Sequence, residues 1–450
     1  MKSTWTRRDF IRIGSGVAAT GAVGKYTLLE PKSLWASPRP VGPSDTVRFA
    51  SIGTGVRGCE LLNATTHVPG VECVAVCDLY DSRHTAAQEA VKNPNVPATR
   101  NYKEILDRKD VDAVIIAVPD HNHRRIFEDA CAAGKDVYCE KPMSHTVEDG
   151  FSMMETAQKN NRIVQIGSQR VSNIVYSQAK ELHDSGKLGD VYHIEAYWDR
   201  NSPSGAWVYP IPPDASEQTI DWNAFLGNAP KRPFDAARFF RWRCFSDYGE
   251  GLAGDLFVHL ISGINFITGN NVIAKRALST GGLFHFKDGR DFPDLLETFY
   301  EYPDFRVYLR CNLMNDQGEF IGFFGTKGTA IIKGNTLTFT AQDTRPQPEG
   351  YSIYGWPEKL RNEYLANFEK EHPYYNVKVD EATEVFGVPE GYSDVVDHQI
   401  HFFNAVRSRK KVVENEEFGN NAALGCHLAN YSYFKQTPAV WDARNRKITS

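Results

Sequence analysis

Asp255 and His259 stand four residues apart in the run Gly254-Asp255-Leu256-Phe257-Val258-His259, which reads as a helix. At that spacing two side chains share one helical face. A carboxylate beside an imidazole orients it and raises its basicity, as a base that takes a hydroxyl proton requires. Taken alone, the pair is equally a structural helix contact or part of a metal site. His121, His123, Asp397, His398 and His401 supply only loose companions, so no metal is assigned. A second chemistry sits nearer the start, in Gly53-Thr54-Gly55-Val56-Arg57-Gly58, between a β-rich run and a helical stretch. In such a turn Gly53 makes the bend, Gly55 admits a pyrophosphate to the backbone, and Gly58 lets helix and strand pack closely. The phosphates then lie at the helix N-terminus, beside Val56 and Arg57. Asp78 ends the next strand, 25 residues after Gly53. It suits the ribose hydroxyls and repels a 2′-phosphate, favouring NAD over NADP; Arg83 is the nearby group that pulls the other way.

Alternating patterns must position these groups. Strand-like runs at 46–52, 71–78, 111–119, 136–139 and 163–167 are separated by helical stretches, among them 123–133 and 147–160. Strand–helix alternation predicts a parallel doubly wound sheet with ligands at the strand C-terminal ends. Pro119, His121, His123, Glu140, Lys141 and Arg170 lie at that edge. Beyond it, runs at 191–197, 274–280, 295–302, 306–313, 319–324 and 329–333 are joined by turn signals rather than helices, as hairpins are. Helical periodicity returns at 394–407 and 418–435, while 341–392 fit no element. The class is α/β. A Rossmann domain spans 45–170, and a second domain spans 171–440 with C-terminal helices within 394–436.

Composition bounds the rest. A chain of 450 residues, 41% hydrophobic and 24% charged, is neither disordered nor fibrous. No apolar stretch is long enough to span a membrane. Residues 1–36 differ in character from the remainder of the chain. Thr6-Arg7-Arg8-Asp9-Phe10-Ile11-Arg12 leads into a Gly/Ala-rich apolar stretch and small residues near Ala36, the order of a twin-arginine export signal. Those residues hold six Lys/Arg and two Asp/Glu, against 51 and 56 in the whole chain, so the remainder is net −9. An acidic exported protein is indifferent to nucleic acid. The eight cysteines lack framework spacing, and no structural disulfide is expected.

Three features together, Gly53–Gly58, Cys139-Glu140-Lys141-Pro142 and Gly254-Asp255-Leu256-Phe257-Val258-His259, resemble the glucose–fructose oxidoreductase / inositol dehydrogenase / MocA (Gfo/Idh/MocA) family. The resemblance runs over roughly 45–440 and includes Cys426-His427-Leu428-Ala429-Asn430. It implies a C-terminal α/β domain with a large, mostly antiparallel open sheet, pairing through such sheets into a homo-oligomer (dimer or tetramer), and NAD as cofactor. It also implies catalytic positions at Lys141, Asp255 and His259. His259 is then the acid/base, Lys141 the donor that polarises the hydroxyl, and Asp255 the orienting partner or a substrate ligand, with Glu140 near the nicotinamide ribose.

Aromatic residues interleaved with arginines over 192–250 suit sugar rings, and Arg170, Trp198 and Trp242 are the expected substrate contacts. An exported dehydrogenase has no pool of free cofactor, so tightly held NAD must be reoxidised in place. A second sugar can take the hydride back, or the product can after an elimination, giving an NAD-dependent glycoside hydrolase. A sugar-binding accessory protein without turnover is the reading from another class.

Overall fold

Val47–Ile52, Val71–Cys77 and Ala113–Ile116 bury their C-terminal halves on both faces, as a sheet between two helix layers demands. The computed structural model describes residues 25–30, 42, 45–374 and 383–450. Six parallel strands run in the order Ala98–Thr99, Val71–Cys77, Val47–Ile52, Ala113–Ile116, Asp136–Cys139, Val164–Ile166. This is the doubly wound dinucleotide-binding order. The helix Val147–Lys159, which comes after Glu140-Lys141-Pro142, is started by Thr146, whose Oγ1 accepts from Asp149 N at 3.1 Å. Such a cap contributes about 1 kcal/mol.

The second sheet has eleven strands among the described residues. Its middle is Gly318–Gly325, Val191–Asp199, Arg306–Asn312, Leu295–Glu301 and Arg276–Gly282. Pairings are antiparallel except Val191–Asp199 with Arg306–Asn312 and Lys25–Leu28 with Thr383–Gly387. One face covers the core around Tyr176, Phe257 and Phe323. The other leaves Tyr192, Leu278 and Phe299 exposed.

The structure redraws two boundaries. Sequence order places the helix Asp394–Ser408 in the second domain, yet Phe402 and Phe403 pack with Val47 and Phe49 under the first sheet. The helix Glu416–Lys435 serves both cores, with Ala423 in one and Cys426 in the other. Of the segment expected as an export signal, 1–24 and 31–36 lie outside the described residues, and Lys25–Leu28 form an edge strand. Part of 341–392 resolves into the helix Glu358–Glu371, none of whose residues is buried, and the strand Thr383–Gly387. All eight cysteines are free and six are buried; burial pushes the Cys131 thiol up to about 12. Among the described residues no helix is long and apolar enough to cross a membrane.

Burial also sets an acid limit. It lowers the imidazoles of His121 (to about 4), His123, His259, His398 (to about 3) and His401. As pH falls through about 6.5 the unfolded chain takes up these protons and the native chain does not, so stability is lost. Burial works oppositely at Asp120, Glu414 and Asp397 (raised to about 6), whose native protonation restores stability as pH falls towards about 4. Five imidazoles outweigh three carboxyls. Tm should therefore fall between pH 7 and pH 5 in thermal denaturation; a rise would show the carboxyls dominate.

Candidate active site

The helix carrying Asp255 and His259 is not regular. Ala253–Phe257 form a π-helical turn that runs into the α-helix Val258–Thr268. Asp255 and His259 make no hydrogen bond to each other, so the expected carboxylate–imidazole pair is not formed; the Asp255 oxygens are taken by Lys141, Arg243 and Trp207. Asp255 faces the end of Asp136–Cys139 instead. Lys141 Nζ donates to its Oδ1 and to its backbone carbonyl, both at 2.8 Å. Arg243 Nε reaches Oδ1 at 3.1 Å, and the Trp207 indole N–H donates to Oδ2 at 3.0 Å. The Arg200 guanidinium stands 3.8 Å from Oδ2. Burial would raise this carboxyl, but the charges of Lys141, Arg243 and Arg200 outweigh it and hold it well below the usual range. Asp255 is thus an anchor for cations, not a partner for His259.

His259 is 6% exposed, and neither ring nitrogen has a hydrogen-bond partner among the described residues; Nδ1 is sealed from solvent. Burial, then the charges of Lys141 and Arg170, hold the ring well below its ordinary value, so it is neutral. Its ring centroid lies 5.4 Å from that of Trp198. Trp198 also carries Arg170 at 5.3 Å and Arg200 at 4.8 Å from its centroid. Arg170 is in turn bound by Asp394 at 2.9 Å and by Glu319. Trp242 lies under Arg243, 4.2 Å from its centroid, and packs on Gly249. Lys141, Asp255, His259, Arg170, Trp198 and Trp242 therefore all line one locus.

Sequence reasoning passed over two groups here. Trp207 is a non-glycine residue with φ +60°, fully buried and holding Asp255. Side chains rarely tolerate that conformation, and nothing in the local sequence announces it. Asp120, in the turn after Pro119, is raised well above the usual carboxylate range by burial and stands among Arg243, Glu250, Lys141 and Asp255. Only the fold brings it there.

The glycine turn suits a dinucleotide. Gly53 has φ +89°, and a Cβ on it would meet the Ala117 carbonyl oxygen at 2.4 Å. A Cβ on Gly58 would meet the Gly53 carbonyl oxygen at 2.2 Å. Gly55 is the N-cap of Val56–Thr65 with no side chain capping it, which leaves the N–H groups for a phosphate. Val56 is 78% exposed, an apolar residue awaiting cover. Asp78 accepts from Thr54 N at 2.7 Å and Tyr80 N at 3.0 Å, with Arg83 at 3.4 Å. Glu140 is bound by Arg57 Nε at 2.7 Å, joining turn and catalytic edge. Pro119 stands three residues past the strand Ala113–Ile116, just before the turn Asp120–Asn122.

The two histidines expected at the cofactor are held by backbone carbonyls. His123 is wholly buried, with Nδ1 and Nε2 each 2.9 Å from a carbonyl oxygen, of Pro142 and Val118. His121 Nε2 lies 2.7 Å from the Phe225 carbonyl, its ring against Phe225 and Tyr248. His398 and His401 both point Nδ1 at Ser172 Oγ. Among the described residues no group of three or more His, Cys, Asp or Glu could hold a metal.

Residues 47–168 match the family model described as an oxidoreductase family with an NAD-binding Rossmann fold. A glycosyl hydrolase family 109 protein 1 of Bacteroides fragilis is 28% identical over 213 residues, 43% of this chain and 45% of that one. An inositol 2-dehydrogenase of Salmonella typhimurium is 36% identical over 148 residues, 32% of this chain and 43% of that one. These matches thus span less than half of either relative. Among solved structures, levoglucosan dehydrogenase in complex with NADH and levoglucosan shares the fold over 87% of this chain and 98% of its own, at TM-score 0.64 and 16% identity. The first domain is an NAD-binding Rossmann domain of an oxidoreductase family, and the second sheet belongs to the same shared fold.

Proposed function

We propose that the chain is an exported NAD-dependent oxidoreductase that takes a hydride from a hydroxyl-bearing carbon of a sugar or glycoside, a Gfo/Idh/MocA enzyme over its whole length. The observation that carries this reading is the ion pair of Lys141, at the edge of the NAD domain, with Asp255 of the second domain, four residues before His259, whose ring lies in the field of the Lys141 charge. Bound NAD supplies the hydride acceptor. Lys141 Nζ spends two of its three N–H groups on Asp255, leaving the third for the substrate hydroxyl oxygen. There it lowers the energy of the developing alkoxide. The proton must leave as the carbonyl forms. His259 Nε2 is neutral and unpartnered, and accepts it; the sealed Nδ1 cannot. Trp198, with Arg170 and Arg200 over its ring, places their guanidinium groups beside His259.

Asp78 supports NAD over NADP, since its carboxylate and a 2′-phosphate would repel. The twin-arginine motif supports export, and the exposed face with Tyr192, Leu278 and Phe299 supports pairing of chains. The glycosyl hydrolase relatives favour a second reading, in which oxidation is followed by elimination and return of the hydride. Both readings need NAD that stays bound. Denaturing the purified protein should release about one equivalent of NAD(H), read by absorbance and mass. A cofactor-free protein that binds NAD only at millimolar concentration would remove recycling in place.

A further inference from the structure

We infer that the sugar taken by this site carries an oxyanion, a carboxylate or a sulfate, clamped by Arg200 and Arg243. The inference rests on the reading of the pocket as a carbohydrate site and adds the charge its substrate must bring. Around Asp255 stand three cations, Lys141, Arg243 and Arg200, at 2.8, 3.1 and 3.8 Å. Two carboxylates stand nearby besides Asp255. Burial raises the Asp120 carboxyl well above the usual carboxylate range, which disfavours its charge. Glu250 is turned to the opposite side, where Asn430 Nδ2 donates to it at 2.9 Å and His427 Nδ1 lies at 3.2 Å. Three cations against Asp255 leave positive charge over.

The surplus falls on groups with donors to spare. Arg243 commits Nε to Asp255, while its two terminal nitrogens have no partner among the described residues. The Arg200 side chain makes no hydrogen bond among them, its nearest carboxylate oxygen being the one at 3.8 Å. Each guanidinium carbon sits over an indole, Arg200 4.8 Å from the Trp198 centroid and Arg243 4.2 Å from that of Trp242, which holds the group in place while its unpartnered N–H groups stay available. Planar, fixed forks of this kind match carboxylate and sulfate oxygens two by two. By contrast, Arg170 and Arg57 in the same region are each bound by two carboxylates and are not free to do this. A neutral sugar leaves two partly desolvated guanidinium groups uncompensated, and that is costly.

The test is binding of matched pairs to the NAD-loaded protein by calorimetry, alongside NADH formation: glucuronate against glucose, galacturonate against galactose, and galactose 6-sulfate against galactose. The expected result is at least tenfold tighter binding of one anionic member, weakened by salt, with the ratio falling towards one in Arg200→Gln. Preference within the uronate pairs identifies the carboxylate; preference within the sulfate pair identifies the ester. Equal or weaker binding of every anionic member overturns the inference, even if neutral sugars are oxidised. Tight anionic binding without NADH formation keeps the clamp and overturns hydride transfer instead.

Discussion

Replacing Lys141 by Met should lower kcat by about 10²- to 10⁴-fold on any sugar the native protein oxidises, the range for loss of a proton-transfer or polarising group. NAD should stay bound. The reason lies in how Asp255 is held: without Lys141 it keeps Arg243 at 3.1 Å and the Trp207 N–H at 3.0 Å. Removing one partner of a buried pair usually costs about 3–5 kcal/mol because a charge is stranded, and here it is not stranded. The variant should therefore fold, and NADH formation in the stopped-flow instrument reads the chemistry alone. Turnover within a few-fold of native would show that the ammonium serves only to pin the π-helical turn.

Gly53→Ala should abolish stoichiometric NAD retention. The methyl group would meet the Ala117 carbonyl oxygen at 2.4 Å while φ stays at +89°, so the turn itself must move. Backbone strain of this kind costs about 1–3 kcal/mol, and the displaced loop takes the phosphate-binding N–H groups with it. Gly134→Ala is the matched control: φ is +78°, but nothing lies within 4 Å of the new methyl. It should show only the strain share of that loss and keep its NAD. If both variants lose NAD equally, general destabilisation is the cause; if Gly53→Ala keeps it, the turn is not the phosphate cradle.

The first domain was legible in the sequence because parallel strands declare themselves as short apolar runs and the glycine turn has few other uses. Lys141, Asp255 and His259 are legible as candidates by residue type, but their arrangement is not. Spacing of i and i+4 presumes 3.6 residues per turn, and the π turn at Ala253–Phe257 breaks that premise without a local signature. Position at a sheet edge does not say what a histidine bonds: carbonyls of Pro142 and Val118 take both nitrogens of His123, and that of Phe225 takes Nε2 of His121. The helix Asp394–Ser408 lies where periodicity puts it but against a different neighbour; amphipathic periodicity says that one face is buried, not against what. Arg200 and Arg243 are visible in the sequence only as members of a crowded aromatic segment, and their free N–H edges are a property of stacking.

That same π turn makes the region intolerant of changes in chain length. One residue fewer between Leu252 and Val258 would relax the coil to an ordinary helix and swing Asp255 about a quarter of a revolution away from Lys141, Arg243 and Trp207. A single-codon deletion there would undo the contacts of Asp255 with every side chain left unchanged.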